Sequence, residues 1–172
     1  AILNESQKSN QMRSLETVQT PQGRVVRIGS SEFLNFCSND YLGLSAHPQL
    51  SAAAAAAAKH YGVGSGASAL LSGRSTLHEE LENKLAKFMQ RDRALLFSSG
   101  YLANIGAIGT LVRRDDHLFC DQLNHASLID AVALTKAPYT RFAHTNVNAL
   151  DLALGANTGS ARWIITDTLF SM

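Results

Sequence analysis

Between residues 94 and 166 short apolar runs alternate with stretches of helical periodicity. The pattern predicts strands over 94–98, 117–120, 139–143 and 162–166, with helices over 102–112, 126–136 and 147–155 between them. A chain that inserts a helix after each strand returns in the same direction every time, so the fold class is α/β with a mostly parallel sheet flanked by helices. In open sheets of this kind ligands sit in the crevice beyond the carboxyl ends of the strands. Two such ends stand out. Ala94 to Phe97 runs into Ser98-Ser99-Gly100-Tyr101, and Leu118 to Cys120 runs into Asp121-Gln122-Leu123-Asn124-His125-Ala126-Ser127.

The upstream half reads differently. Residues 1–18 form a polar helix or arm, and Gln22-Gly23 turns into a hairpin of two short strands, 24–28 and 32–36. Pro48 opens a helix built on Ala52 to Ala58, a run of maximal helix propensity that ends near Gly62. Gly62 to Gly73 is too rich in glycine for a helix and too apolar for a tether, so it is an ordered loop. Thr76 and Glu79 have the spacing of a capping box, and Leu77, Leu81, Leu85, Phe88 and Met89 recur at helical spacing on a helix that needs a packing partner.

Charge and cysteine content narrow the function. With 15 basic against 14 acidic side chains interspersed, the 172-residue chain has no electrostatic footprint for nucleic acid or an anionic membrane. Cys37 and Cys120 lack a CxxC spacing, which points to thiols in a reducing compartment rather than to a disulfide framework or a zinc site. A polar N-terminus and the lack of any long apolar run make the cytoplasm the expected location.

The loop Gly64-Ser65-Gly66-Ala67-Ser68-Ala69 matches the dinucleotide pattern G-x-G-x-x-A, but that fingerprint needs a strand before it and a helix after it. A polyalanine helix precedes it here, so its glycines are read as allowing close backbone approach. Ser99-Gly100-Tyr101 has the physics of a phosphate site: glycine admits the ligand, and the first amides of the next helix point outward at the positive end of its dipole. His125 has two readings, a cap network in which Asn124 or Ser127 holds the turn, or a flat imidazole facing a flat cofactor ring. Asp121 and His144 lie at neighbouring strand ends but supply too few ligands for a metal, and no metal is expected. Neither Ser99 nor Ser127 sits in a G-x-S-x-G elbow, which disfavours a hydrolase.

Seven motifs taken in order carry a likeness: Asn35 to Leu44, Gly64-Ser65-Gly66, Leu71-Ser72-Gly73, His78 to Glu82, Ser99 to Asn104, Asn124 to Ser127 and Phe170-Ser171-Met172. Together they resemble the α-oxoamine synthases, over a span from about Arg13 to Met172. The resemblance implies an N-terminal arm and hairpin (1–45) followed by part of the large domain of a fold-type-I transferase (46–172) that uses pyridoxal 5'-phosphate (PLP). It implies a homodimer that condenses L-alanine with pimeloyl-CoA, or a pimeloyl carrier-protein thioester, losing carbon dioxide on the way to biotin. By the same resemblance the amides of Gly100 and Tyr101 hold the phosphate, and His125 stacks on the pyridine ring and meets the substrate as the catalytic residue. Ser171 contacts the cofactor, Arg13 receives a substrate carboxylate, and Asn39 lies near the active site and dimer interface.

Three departures qualify the likeness. Gly66-Ala67-Ser68-Ala69 stands where the family often has a second glycine and then a basic or small residue, and Thr168 replaces a common glycine. The family's pyridine-facing aspartate and Schiff-base lysine match nothing here, since Lys8, Lys59, Lys84, Lys87 and Lys136 lie in no corresponding motif. The expectation is that these 172 residues alone are inactive and bind PLP poorly. Two alternatives stay open: an enzyme of the glycine C-acetyltransferase type, and a non-catalytic dimerisation or assembly fragment.

Overall fold

The computed structural model describes residues 14–157 and 161–170, which fall into two compact units, one within residues 1–68 and one within 69–172. In the first, β1 (Val25–Ile28) and β2 (Ser31–Leu34) form an antiparallel hairpin with Val25 opposite Leu34 and Ile28 opposite Ser31. Residues 14–18 are not helical; they run as an arm, and Val18 bridges to Ile28. Helix α1 (Pro48–Tyr61) carries proline at its first position and a His47 cap whose Nδ1 accepts from the Gln49 N–H at 3.3 Å. None of its residues is buried, so within its unit it stands on alanine propensity more than on packing.

The second unit holds α2 (Thr76–Phe88), α3 (Gly100–Leu111), β3 (His117–Asp121), α4 (Ala126–Thr135), β4 (Tyr139–Phe142), α5 (Val147–Ala156) and β5 (Arg162–Ile165). The three strands make a parallel sheet in the order β4-β3-β5, with Leu118 beside both Tyr139 and Trp163. Parallel crossovers are right-handed, so the step from β3 to β4 and the return step from β4 past β3 to β5 put α4 and α5 on opposite faces. Central β3 is therefore covered on both sides, which is why it reads His-Leu-Phe-Cys-Asp without polar alternation. Leu118 and Cys120 pack with Val112, Leu128, Val132, Ala137 and Ile165 on one face, while Phe119, also fully buried, points to the other. Of the two cysteines, Cys37 is exposed and Cys120 buried. No helix among the described residues is long and apolar enough to cross a membrane.

Three expectations are corrected. Residues 94–97 form no strand: no neighbour offers a ladder among the described residues, and the Leu96 N–H instead donates to Glu82 Oε1 at 3.1 Å. The capping box of α2 is one residue earlier than its spacing indicated. Ser75 is the cap, and the Ser75 N–H donates to Nδ1 of His78 at 3.2 Å, while Thr76 is already helical and Glu79 faces Arg74 at 3.8 Å. The apolar stripe of α2 also finds no cover within its unit; Ala86 alone of this helix is buried, and Phe88 and Met89 are exposed.

Candidate cofactor site

Helix α3 begins in a turn that leaves donors unused. Ser99 is extended (φ −157°, ψ 159°), its Oγ accepts from the Leu102 N–H at 3.2 Å, and its carbonyl accepts from Ala103 at 3.0 Å. The amides of Gly100 and Tyr101 are given no acceptor among the described residues, at the end of the helix where the dipole is positive. A Cβ built on Gly100 would meet nothing within 4 Å, so the space beside its Cα is open. Further along, a Cβ on Gly106 would lie 2.7 Å from Phe97 Cε1; the bare backbone there lets α3 sit directly on the segment that leads into the turn.

Among the described residues two side-chain hydrogen bonds join α3 to α4. The Tyr101 hydroxyl donates to Asp130 Oδ2 at 2.6 Å, a bond that, with burial, holds its phenol above the ordinary tyrosine range. Asn104 Nδ2 donates to Ser127 Oγ at 2.9 Å. Tyr101 pairs with 130 and Asn104 with 127, so the helices cross antiparallel, with Gly100 at one end of the contact and His125 at the other.

His125 caps α4 itself. Its Nδ1 accepts from the Ser127 N–H at 3.2 Å and lies 2.7 Å from Ser127 Oγ, and its own N–H donates to Asp167 Oδ2 at 2.7 Å. The cap reading placed that role on Asn124 or Ser127; the structure gives the acceptor to the imidazole, because an extended His125 brings Nδ1 to where a serine or aspartate oxygen ordinarily sits. Asn124 is buried and ties β3 to β5 through its Nδ2, which donates to the Ile165 carbonyl at 2.8 Å.

Behind this turn Asp121 gathers donors. Its carboxylate accepts from the Leu123 N–H at 2.9 Å, meets His144 Nδ1 at 2.9 Å, and takes the Thr145 N–H. Burial pushes its value up, yet the bonds from Leu123, His144 and Thr145 outweigh it and leave the carboxyl below the ordinary range. Thr145 is held at φ +58°, an uncommon conformation for a β-branched residue. The His144 ring stands edge-on to Phe170 with centroids 4.4 Å apart. Among the described residues no group of three or more His, Cys, Asp or Glu could hold a metal ion.

Of the residues singled out from the sequence, Gly100 and Tyr101 open α3 and His125 caps α4, all in the second unit, at opposite ends of the contact between the two helices. Asn39 lies in the first unit, in a loop where its Oδ1 accepts from the Tyr41 hydroxyl at 3.3 Å. Asp40 closes that loop, accepting from the Leu44 N–H at 2.8 Å and the Ser45 hydroxyl at 2.5 Å around Gly43 at φ +63°. The Ser45 hydroxyl is the main reason its carboxyl lies below the usual range. Arg13 and Ser171 lie outside the described residues. Asn104, Asp130 and Asp167 were missed as supports of the site, since their partners are 23 to 42 residues away in the chain.

Comparison with known proteins identifies the family. The family "Aminotransferase class I and II" matches residues 31–172. An 8-amino-7-oxononanoate synthase from Herminiimonas arsenicoxydans is 50% identical over 96% of this chain and 42% of its own length. One from Nitrosomonas eutropha is 48% identical over 93% of this chain and 41% of its own. Among solved structures, Sphingomonas wittichii serine palmitoyltransferase superposes with a TM-score of 0.91 at 27% identity, covering 99% of this chain and 44% of that one. The 8-amino-7-oxononanoate synthase of Francisella tularensis has a TM-score of 0.67 at 31% identity, covering 80% and 37%. A lysine-to-alanine variant of S. paucimobilis serine palmitoyltransferase (TM-score 0.92, 26% identity, covering 99% and 44%) carries a bound PLP–myriocin aldimine. The chain thus spans about two fifths of the length of the curated relatives it matches. The chain belongs to the class I and II aminotransferase family, in its α-oxoamine synthase branch.

Proposed function

We propose that this chain is the N-terminal part of a PLP-dependent 8-amino-7-oxononanoate synthase, which condenses L-alanine with a pimeloyl thioester in the cytoplasm on the way to biotin. The observation that carries it is the pair of unused amides at Gly100 and Tyr101, beside an open Cα face of Gly100, on the same helix pair whose other end presents His125. Names of relatives near 50% identity support the substrate choice. PLP, when bound, supplies an electron sink for the carbanion left by the amino acid.

The rest falls to the chain's own residues. When PLP is bound, Gly100 and Tyr101 would donate to its phosphate with the help of the α3 dipole, and the His125 imidazole would face its pyridine ring and the amino acid. On the resemblance, Ser171 adds a contact to the cofactor, Arg13 offers its planar fork to a substrate carboxylate, and Asn39 belongs to the region shared with a second copy of the chain. The same resemblance assigns residues 1–45 to an N-terminal arm and hairpin and 46–172 to part of the large domain.

Gly100→Pro in the full-length protein tests the assignment. Proline suits a first helical position, and Ser99 before it is already extended, so α3 is retained while one donor to the phosphate disappears. A hydrogen bond to a charged group contributes about 1.5–3 kcal/mol, so PLP affinity is expected to fall about 10- to 100-fold in a fluorescence titration. Unchanged affinity would overturn the phosphate site. Release of CoA from pimeloyl-CoA with alanine checks the substrates; release only from acetyl-CoA with glycine would replace them.

A further inference from the structure

We infer that Asn104 and Ser127 are positioning residues that hold His125 as its Nε2–H tautomer, so that the ring offers the reactants a hydrogen-bond donor and not a base. The inference rests on the reading of His125 as the ring that faces the cofactor.

The logic follows from counting protons. The Ser127 backbone N–H donates to His125 Nδ1 at 3.2 Å, which requires a lone pair on that nitrogen. Nδ1 therefore carries no hydrogen, and the neutral ring keeps its proton on Nε2. Ser127 Oγ, 2.7 Å from the same Nδ1, must then be the donor of that contact. A hydroxyl has one proton, so having given it to Nδ1, Oγ faces Asn104 as an acceptor, and Asn104 Nδ2 lies 2.9 Å away to supply the hydrogen. The relay runs Asn104 Nδ2–H to Ser127 Oγ–H to His125 Nδ1. Each member sits on a rigid element: Asn104 on α3, Ser127 fully buried in the first turn of α4, His125 pinned through its main chain by Asp167. Such outer partners commonly set which ring nitrogen is protonated and fix the plane of the imidazole. The chemical consequence is directional. Nε2–H can donate to a carboxylate or carbonyl oxygen of a substrate, but it has no lone pair with which to take a proton.

The test is imidazole 15N NMR on the full-length protein, at a pH well above the ordinary histidine range so that the ring is neutral. Wild type is expected to show His125 with hydrogen on Nε2 and a bare Nδ1. Ser127→Ala removes one donor to Nδ1 and should raise the minor tautomer about 3- to 10-fold, a ratio matching the loss of one ordinary hydrogen bond. Ser127→Thr, which keeps a hydroxyl, should restore the wild-type ratio. Asn104→Ala should move the ratio in the same direction by a smaller factor, and it carries the test if Ser127→Ala does not fold, because Asn104 is only half-buried. A hydrogen found on Nδ1 in wild type, or a ratio that neither alanine variant moves, overturns the relay. A separate readout isolates the underlying assignment: if the relay is present but adding PLP leaves the His125 resonances unmoved, the ring-facing role fails while the tautomer lock stands.

Discussion

Asp121→Ala is expected to lower stability by roughly 3 kcal/mol, because it strips an acceptor from three donors at a buried strand end, and a buried donor left unmet costs about 1–3 kcal/mol. The loss is less than the sum, since the half-exposed His144 can turn toward water. Thr145 adds to it: the bond to Asp121 helps hold its left-handed backbone, and losing that bond leaves the strain less fully offset. Urea unfolding at pH 7 measures the effect, and a loss below about 1 kcal/mol would mean that the carboxylate is a bystander. The same group predicts an acid limb. The folded carboxyl lies below its ordinary value, so its contribution is fully present above about pH 4 and disappears as pH falls through the lowered folded value. Asp121→Asn cannot titrate, and its stability should fall less steeply than wild type over that window.

Phe119→Ala should cost about 3–5 kcal/mol, the usual range for a buried phenylalanine cut to alanine. The site cannot collapse easily, because β3 is paired on both edges and its Phe119 face is roofed by a crossover helix. Phe33→Ala on β2 supplies the contrast. That ring is half exposed, so the variant should lose under about 1 kcal/mol in the same denaturation series. Equal losses at the two positions would contradict the placement of the core around β3.

The alternation that began at residue 94 was legible where each element had a neighbour to complete it. Strands at 117, 139 and 162 and the helices between them lie within a residue or two of their expected bounds, because apolar periodicity and burial agree there. Residues 94–97 have the same composition and form no strand, since strand identity is a property of a pair and the sequence of one segment says nothing of its partner. The meeting of Asp121 with His144 was visible as two polar residues at adjoining strand ends. The role of His125 as its own cap was not. A ring nitrogen acting as the cap acceptor depends on a local turn that composition does not announce, and the cap of α2 shifted for a similar reason, with His78 taking the place expected for glutamate.

The burial of Cys120 turns the central strand into its own reporter. Burial pushes that thiol up to about 11, and thiolate is the form that reacts, so an alkylating reagent at neutral pH is refused both by lack of access and by lack of charge. Exposed Cys37 has no such shelter and is labelled at once. The slow second label therefore counts how often the sheet opens around β3, and mass spectrometry of a single sample reads the breathing of that strand against an internal standard at residue 37.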